Sequence, residues 1–309
     1  MNLKGVVPAA VLPMDENYDP DYDAYSRYLE WLIGQNAIAL AINMDTGEGP
    51  QLTREELRRV AEIAVAAARG KCAVVAGVLG ATTQGSVDIA SMYAETGVDG
   101  LVVFPHSAFR NTPLDPRIPY EYHKAIADGA GLPIVLFQLA PVFGGVNYAR
   151  ETLLRLLDIP EVVAIKEASF DVQYFAYTKE TLGIVNRPIT LLTGNDRFIT
   201  ESFLLGAEGA LLGFAAIGCR LVAEMLECFA KGEYERGVSM RPRVQGFADF
   251  IYRDPVLDYR ARCKVALAHV GVIKMSQTYV RPPLLQVQHE YEAIGEALAE
   301  ARMLDQAAA

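Results

Sequence analysis

Short apolar runs alternate with helical patterns along the first two thirds of the chain. Eight of these runs are rich in Val, Ile, Leu and Ala and have the length of buried parallel strands. They occupy residues 6–12, 38–43, 73–78, 100–104, 133–137, 162–166, 189–194 and 209–213. Strands that alternate with helices are typical of a parallel sheet, and eight such units close into a (β/α)8 TIM barrel. We therefore predict this α/β fold.

Helix start signals separate the apolar runs. Thr53 and Glu56 have the spacing of a capping box, in which each side chain bonds the backbone of the other residue. Asp19 followed by Pro20 predicts another helix start, with Asp19 as the N-cap.

From residue 220 onward the pattern is helical and shows no convincing strand. We place the catalytic barrel at 1–232 and a C-terminal helical extension at 233–309. The alternative architecture, an open doubly wound sheet, needs a glycine-rich phosphate-binding loop after the first strand. The segment PMDENYDPD at 13–21 contains no glycine, which favours the barrel.

Composition narrows the class of function. The chain has 309 residues, is 51% hydrophobic and carries a net charge of −10, which argues against a nucleic-acid-binding surface. No apolar segment approaches the roughly 20 residues of a membrane span, so we expect no membrane partner and a cytoplasmic protein. The cysteines are far apart and the histidines show no ligand pairing, so neither a metal nor a cofactor is expected.

Lys166 ends the sixth apolar run. In a TIM barrel the carboxyl ends of the strands form the active-site face. Desolvation there lowers the pKa of a lysine, and its neutral amine can then attack a carbonyl to form a Schiff base. The alternative is a lysine whose amine merely reaches solvent at the rim of the barrel. Position alone does not decide between them.

The turn after the second run reads NMDTGEGP at 43–50. Backbone N–H groups of a glycine-containing turn can hold a carboxylate, and the Thr46 hydroxyl adds a donor. A tight turn between strand and helix, with Glu48 in a structural hydrogen bond, fits the same residues.

These motifs resemble the dihydrodipicolinate synthase and N-acetylneuraminate lyase superfamily of Schiff-base aldolases. The matching stretches run in order along nearly the whole chain: TGE at 46–48, LTREE at 52–56, AGVLG at 76–80, VVAIKEAS at 162–169, GND at 194–196 and RPPL at 281–284. The resemblance implies that Lys166 forms an imine with a 2-keto acid such as pyruvate. It also implies that Thr46 and the Gly47 amide hold the substrate carboxylate and that the Leu211 backbone lines the pocket. A homo-oligomer, either a dimer or a tetramer, is implied as well.

The chain departs from the family pattern at the tyrosine relay that moves protons. The resemblance places Phe137 at the first tyrosine, His106 and Ser107 in the segment of the second, and Asp45 at the linking threonine. We therefore expect Asp45 to act as general base, with His106 and Ser107 as further candidates. An Asx-type turn residue is the alternative for Asp45. The segment APVFGGV at 140–146 also lacks the synthase's arginine, so we do not expect authentic dihydrodipicolinate synthesis.

Two reactions remain open, a pyruvate-type aldolase and a dehydratase of a 2-keto-3-deoxy acid. A dehydratase needs polar groups for the substrate hydroxyls. Polar residues near strand ends are Gln138, Ser169, Asn195 and Asp196. The apolar segment at 133–145 instead suits a hydrophobic or aromatic aldehyde.

Two other functions are alternatives to a Schiff-base lyase. A barrel that binds a keto acid without turnover would account for the altered relay. A phosphate-binding barrel would use Gly194 and Gly213, but this sequence has few basic residues near them.

Overall fold

The computed structural model describes residues 1–110 and 114–304. Within them, eight parallel strands form one sheet whose spatial order follows the chain. The strands are β1 Val6–Pro8, β2 Ala39–Ile42, β3 Ala73–Val78, β4 Gly100–Val103, β5 Ile134–Leu139, β6 Val162–Ala168, β7 Thr190–Thr193 and β8 Gly209–Leu212. All eight predicted strands are confirmed, although β1 ends earlier and β5 and β6 end later than the apolar runs.

Contacts between β1 and β2 close the sheet into a barrel. The Ile38 N–H donates to the Val6 carbonyl at 3.0 Å, and the Ala10 N–H donates to the Ala41 carbonyl at 2.9 Å. On its other edge β1 pairs with β8 in parallel register. The predicted (β/α)8 TIM barrel is therefore confirmed, and so is the helical extension that follows it.

Eight helices follow the strands around the outside of the barrel. They are α1 Tyr22–Ile33, α2 Arg54–Ala68, α3 Thr83–Thr96, α4 Arg117–Ala130, α5 Arg150–Leu157, α6 Val172–Leu182, α7 Ile199–Leu204 and α8 Ala215–Ala230. Within residues 1–110 and 114–304, no helix combines the length and the apolar composition that crossing a bilayer requires.

The two predicted helix starts differ in outcome. The capping box of α2 is confirmed, because the Glu56 N–H donates to the Thr53 hydroxyl at 3.2 Å and the Thr53 N–H donates to the Glu56 carboxylate at 2.8 Å. The expected cap at Asp19 is wrong. Asp21 caps α1 instead and accepts the Ala24 N–H at 2.8 Å, because Asp19 is held in the preceding turn by hydrogen bonds to residue 15.

Side chains that point into the barrel fill its interior below the carboxyl ends of the strands. This inner layer is apolar and includes Val7, Val75, Val102, Val135, Leu192 and Leu211. The opposite faces of the strands pack against the surrounding helices in a second, larger apolar cluster. The filled interior leaves the carboxyl ends of the strands as the place for a binding cavity.

The extension consists of α9 Tyr234–Ser239, α10 Arg241–Ile251, α11 Tyr259–His269 and α12 Tyr291–Glu300. The expected division at residue 232 falls in the connection between α8 and α9, and the last residues of the predicted extension, 305–309, lie outside the described part of the chain. Helix α10 packs against α7 and α8, and α11 packs against α8. The connection between α10 and α11 lines the cavity at the carboxyl ends of the strands.

A buried ion pair ties the extension to the turn after β2. The Lys264 ammonium lies 2.5 Å from the Glu48 carboxylate, and both side chains are fully buried. Lys264 also donates to the Tyr279 carbonyl, while Glu48 accepts the Arg281 N–H at 2.7 Å. Burial lowers the pKa of Lys264, and the Glu48 charge opposes that shift. The alternative interpretation of the TGE turn, with Glu48 in a structural bond, therefore describes this residue.

Removing the cation of this pair is expected to destabilise the fold. Lys264→Met leaves the Glu48 carboxylate buried without its counter-charge, which typically costs about 3–5 kcal/mol of unfolding free energy. Urea denaturation followed by circular dichroism measures the change. Lys231→Met is the control, because Lys231 pairs with Glu227 on the surface, where ion pairs contribute little. Equal midpoints for the two variants would contradict the anchoring role of the buried pair.

Candidate active site

A cavity of about 470 Å³ opens at the carboxyl ends of the strands. Its walls come from the ends of β2, β5, β6, β7 and β8 and from the α10–α11 connection at 252–260. The polar and charged lining residues are Asp45, Thr46, Lys166, Asp196, Tyr252, Asp254, Tyr259 and Arg260. The volume is within the usual range for small-molecule sites.

Lys166 reaches this cavity from within β6, not from its end. The strand continues to Ala168, and its later residues pair with a matching continuation of β5, with Lys166 beside Phe137. The side chain has room because residue 194 is glycine. A Cβ at Gly194 would lie 2.8 Å from both the Lys166 Cε and the Ala168 Cβ, tighter than side chains normally pack.

The Lys166 amine is held out of water. The residue is 9% exposed, and burial lowers the pKa of its amine from 10.5 to about 8, while the charges of Asp196 and Asp45 oppose the shift. The amine lies 4.0 Å from the centre of the Phe137 ring, whose face also favours the charged form. Roughly a tenth of such an amine is neutral at pH 7, which favours the nucleophilic interpretation over a rim lysine.

The turn that carries Thr46 lies beside this amine. Thr46 is buried, lines the cavity and has its hydroxyl 3.2 Å from the Tyr259 hydroxyl. The Gly47 N–H donates to the Met44 carbonyl at 3.1 Å, so this amide is engaged inside the turn and is not directed at a ligand. A Cβ at Gly47 would lie 2.7 Å from the Ala10 carbonyl oxygen. Glycine is therefore needed for close packing, and Thr46 is the donor that faces the cavity.

Asp45 also lines the cavity, but its carboxylate faces a second cation. The Arg260 Nη2 lies 3.7 Å from the Asp45 carboxylate, and the Arg260 Nε donates to the Asp45 carbonyl at 2.5 Å. The Asp45 side chain is 34% exposed. Its charge acts on Lys166 as well, so Asp45 stands between two cations at the edge of the cavity.

The other residues that were expected at the site occupy different places in the structure, some in the cavity and some outside it. Phe137 lines the cavity. Leu211 belongs to the apolar inner layer below, and Gly213, two residues later, lines the cavity in its place. Ser107 is exposed in the turn after β4, outside the cavity walls, and the His106 ring is bonded to nearby backbone. A substrate role for either would need a neighbouring subunit.

Of the four polar residues expected near strand ends, Asp196 is the one that reaches the cavity. Gln138 bonds the Tyr148 N–H and a threonine of α6, on the outer side of the sheet. The Ser169 hydroxyl bonds backbone nearby, and the Asn195 amide bonds the buried Glu167 carboxylate. These three side chains therefore support the strand ends and do not face a substrate.

Six cavity residues come from the extension, and none of them was expected from the sequence. Tyr252, Tyr259 and Arg260 line the cavity opposite the strand ends. The two tyrosine rings stack with their centres 4.6 Å apart. The segment YRDPVLDYR at 252–260 was expected only to contain a helix break at Asp254–Pro255. The two tyrosines of this segment are the only local hint of a binding site. Nothing in the neighbouring sequence indicates that the helix break lies over the mouth of the barrel.

Asp196 connects Lys166 to one of these tyrosines. Its carboxylate accepts the Phe214 N–H at 2.8 Å, and the nearby Tyr252 hydroxyl, as a hydrogen-bond donor, lowers the pKa of this carboxylate. Burial raises the pKa of Asp196 to about 6, against these hydrogen bonds and the Lys166 charge. A carboxyl group that titrates near neutrality beside a partly neutral amine is suited to proton transfer.

The whole chain was compared with known proteins. A model of the dihydrodipicolinate synthetase family matches residues 2–301. The chain belongs to this family. The family's enzymes are lyases and synthases that work through a lysine Schiff base.

Individual relatives in this family match over nearly their full length. The 4-hydroxy-tetrahydrodipicolinate synthase of Thermodesulfovibrio yellowstonii is 29% identical over 306 residues, covering 98% of this chain and 99% of the relative. The dihydrodipicolinate synthase structure from Thermotoga maritima has a TM-score of 0.86 and 22% identity, covering 97% of this chain and 99% of that one. YagE, a prophage protein of the same family from E. coli K12, was solved with pyruvate and has a TM-score of 0.86 and 19% identity, covering 97% and 98%.

The reactivity of Lys166 is expected to depend on pH with a midpoint near 8. The neutral amine is the nucleophile, so the rate of trace labelling by acetic anhydride should be half-maximal near pH 8 and level off about one to two pH units higher. Mass spectrometry of the labelled peptides measures this rate. Lys231, whose pKa its hydrogen bond to Glu227 raises, is the comparison in the same digest. Asp196→Asn should move the midpoint lower, because it removes a charge that favours the ammonium. Parallel profiles for Lys166 and Lys231 would contradict the desolvated site.

Proposed function

We propose that this protein is a Schiff-base lyase that joins pyruvate to an aldehyde, or cleaves the product, through an imine on Lys166. The observation that carries the proposal is the desolvated Lys166 amine, which lies in a cavity that also holds the Thr46 hydroxyl. A neutral amine condenses with a ketone, and a hydroxyl donor beside it suits the adjoining carboxylate.

The order of events follows from the placement of these two groups. The keto-acid carboxylate is held at Thr46, and the Lys166 amine attacks the neighbouring carbonyl and expels water. The resulting iminium withdraws electrons from the next carbon, which makes the C–C bond beyond it breakable or formable. Pyruvate as the keto acid is supported by YagE, which was solved with that molecule.

The rest of the cavity favours an apolar aldehyde over a hydroxylated one. Its outer wall is lined by Leu139, Val142, Phe143, Phe170, Val256 and Leu257. The Phe143 and Phe170 rings contact each other edge to face, 5.1 Å apart. Of the four residues expected to bind substrate hydroxyls, Asp196 is the one that lines the cavity, and the side chains of the outer wall offer a polyhydroxylated chain no hydrogen-bond partner. We therefore favour the aldolase over the sugar-acid dehydratase.

Arg260 is the cavity residue that would bind an anionic aldehyde, but the Asp45 carboxylate already faces its guanidinium. Its Nε and Nη1 donate to the carbonyls of Asp45 and Leu257, and its Nη2 faces the Asp45 carboxylate. A substrate carboxylate would have to share this cation with Asp45 and would be repelled by its negative charge. This arrangement supports an aldehyde without a charge and a function other than dihydrodipicolinate synthesis.

Reductive trapping tests the imine. Incubation with pyruvate and borohydride should add one reduced pyruvate to the protein, as measured by intact mass, and Lys166→Ala should abolish the adduct. Lys231→Ala, which removes a surface lysine, should leave the adduct unchanged. Thr46→Val should raise the half-saturating pyruvate concentration about tenfold, because hydrogen bonds to a charged group contribute about 1.5–3 kcal/mol. An adduct that persists in Lys166→Ala would overturn the assignment.

An aldehyde panel tests the second half of the proposal. Aldol addition of pyruvate to benzaldehyde should proceed with a kcat/KM at least about tenfold above that for glyceraldehyde, since burying apolar atoms contributes on the order of 1–3 kcal/mol. Phe170→Ala should reduce that preference, whereas Val172→Ala, outside the cavity walls, should keep it. A preference for glyceraldehyde would favour the dehydratase or sugar-acid alternative. Imine formation without turnover of any aldehyde would favour a keto-acid-binding protein.

A further inference from the structure

We propose that Tyr252 and Asp196 together carry the proton of the carbon next to the imine, with the Asp196 carboxylate as base and the Tyr252 hydroxyl as relay. This inference rests on the proposed Schiff-base function and names its proton carrier. It assigns a catalytic group to the helical extension, which supplies Tyr252, and to the turn after β7, which supplies Asp196.

The Tyr252 hydroxyl occupies the space above Gly213. A Cβ at this position would collide with that hydroxyl and lie 3.1 Å from the Thr46 hydroxyl oxygen. The two hydroxyl groups therefore lie side by side over the end of β8. A keto acid bound by its carboxylate at Thr46 and by its carbonyl carbon at Lys166 has its third substituent, the C3 carbon, next to this pair.

The barrel and the extension together hold Tyr252 in place from several sides. The Arg197 guanidinium donates to the Tyr252 carbonyl at 2.9 Å. The fully buried Arg262 donates to the carbonyls of Ile251 and Arg253, on either side of Tyr252, at 3.1 and 2.7 Å. The ring itself stacks on Tyr259. A hydroxyl whose backbone and ring are both fixed is positioned for a proton transfer that depends on geometry.

The environment gives the two groups different roles. Burial and the Asp196 charge raise the pKa of Tyr252 well above its ordinary value of 10, so the phenol stays protonated and cannot act alone as a base. Asp196 is mostly ionised at neutral pH and accepts the phenol hydrogen bond. When the Tyr252 oxygen accepts a proton from the substrate, its own phenol proton can therefore move to the Asp196 carboxylate.

The step balances within the site. The C3–H bond of the iminium breaks and its electron pair forms the C2–C3 double bond of the enamine. The electron pair of the C2–N double bond moves to nitrogen and neutralises the iminium charge. The C3 proton passes to the Tyr252 oxygen while the phenol proton passes to Asp196. In the reverse direction the protonated Asp196 returns the proton through Tyr252.

Asp45 is the competing base, and its surroundings favour it less. Its carboxylate faces the Arg260 guanidinium, and its side chain is 34% exposed. Asp196 is 3% exposed, and the Tyr252 hydroxyl is one of the groups that act on its pKa. The charges that act on Lys166 from the neighbouring elements are those of Asp196 and Asp45, so the two carboxylates can be separated only by experiment on each.

The test needs pyruvate alone and no aldehyde. Proton NMR in deuterated buffer follows the loss of the pyruvate methyl signal, which reports enamine formation and reversal. Borohydride trapping at pH 9.5, above the Lys166 pKa of about 8, reports imine formation separately. The variants are Tyr252→Phe, Asp196→Asn, Asp45→Asn and Gly213→Ala. The control is Tyr148→Phe, which removes a buried hydroxyl that has no partner in the described residues and is outside the cavity walls.

We expect the variants to differ in methyl-proton exchange and not in borohydride trapping. Tyr252→Phe and Asp196→Asn should slow methyl exchange about 100-fold or more, the usual contribution of a positioned acid or base, and should keep the trapping rate within about twofold. Gly213→Ala should slow exchange as well, because the added Cβ displaces the Tyr252 hydroxyl without removing it. Asp45→Asn should slow exchange at least about tenfold less than Asp196→Asn does. Tyr148→Phe should retain exchange within about threefold of the parent.

Other outcomes overturn the inference. Exchange in Tyr252→Phe within about threefold of the parent, with trapping intact, removes the relay role. Loss of exchange in Asp45→Asn but not in Asp196→Asn transfers the base to Asp45. If the unsubstituted protein forms the pyruvate adduct but does not exchange the methyl protons, Tyr252 and Asp196 do not carry the C3 proton. A parent without any adduct removes the proposed function itself. If Tyr252→Phe fails to trap pyruvate because it misfolds, Asp196→Asn and Gly213→Ala decide by the same criteria.

Discussion

The free-energy cost of keeping the Lys166 ammonium out of water is the constraint on which the site depends. Desolvation favours the neutral amine, while the charges of Asp196 and Asp45 favour the cation, and the balance leaves the pKa at about 8. Without burial the amine would be almost fully protonated at neutral pH. Without the carboxylates an isolated buried ammonium would be costly to keep. Schiff-base formation therefore needs a lysine whose amine is buried enough to be partly neutral and whose charged form is still stabilised by nearby carboxylates.

The C-terminal extension supplies the covering that this balance requires. Its connection at 252–260 forms the wall of the cavity opposite the strand ends, and the Lys264–Glu48 pair fixes α11 to the turn that carries Thr46. Arg262 holds the backbone of the same connection from inside the extension. The extension and the barrel mouth are therefore one site, in which a change to a helix far along the chain alters the surroundings of Lys166.

The candidate site was predictable from the sequence to different degrees, residue by residue. Lys166 was a candidate because an apolar strand that continues into a lysine is unusual, and the resemblance of VVAIKEAS at 162–169 to the family's lysine strand then favoured its catalytic role. Leu211 was expected at the cavity wall, but Gly213 occupies it, because strand ends are poorly defined by local pattern. Tyr252 had no such local signal. Its position depends on where a helix break comes to lie, which is set by the packing of α10 and α11 on the barrel.

The sequence by itself determined the eight strands, the barrel they form, the family and the lysine at its centre, since these depend on patterns of a few neighbouring residues. Tertiary structure alone decided which carboxylate and which hydroxyls face that lysine. Asp196 and Tyr252 are separated in the chain by α7, β8, α8, α9 and α10 and meet only in the folded protein. Contacts of this kind depend on packing between distant segments, which local propensity and hydrophobic periodicity do not encode.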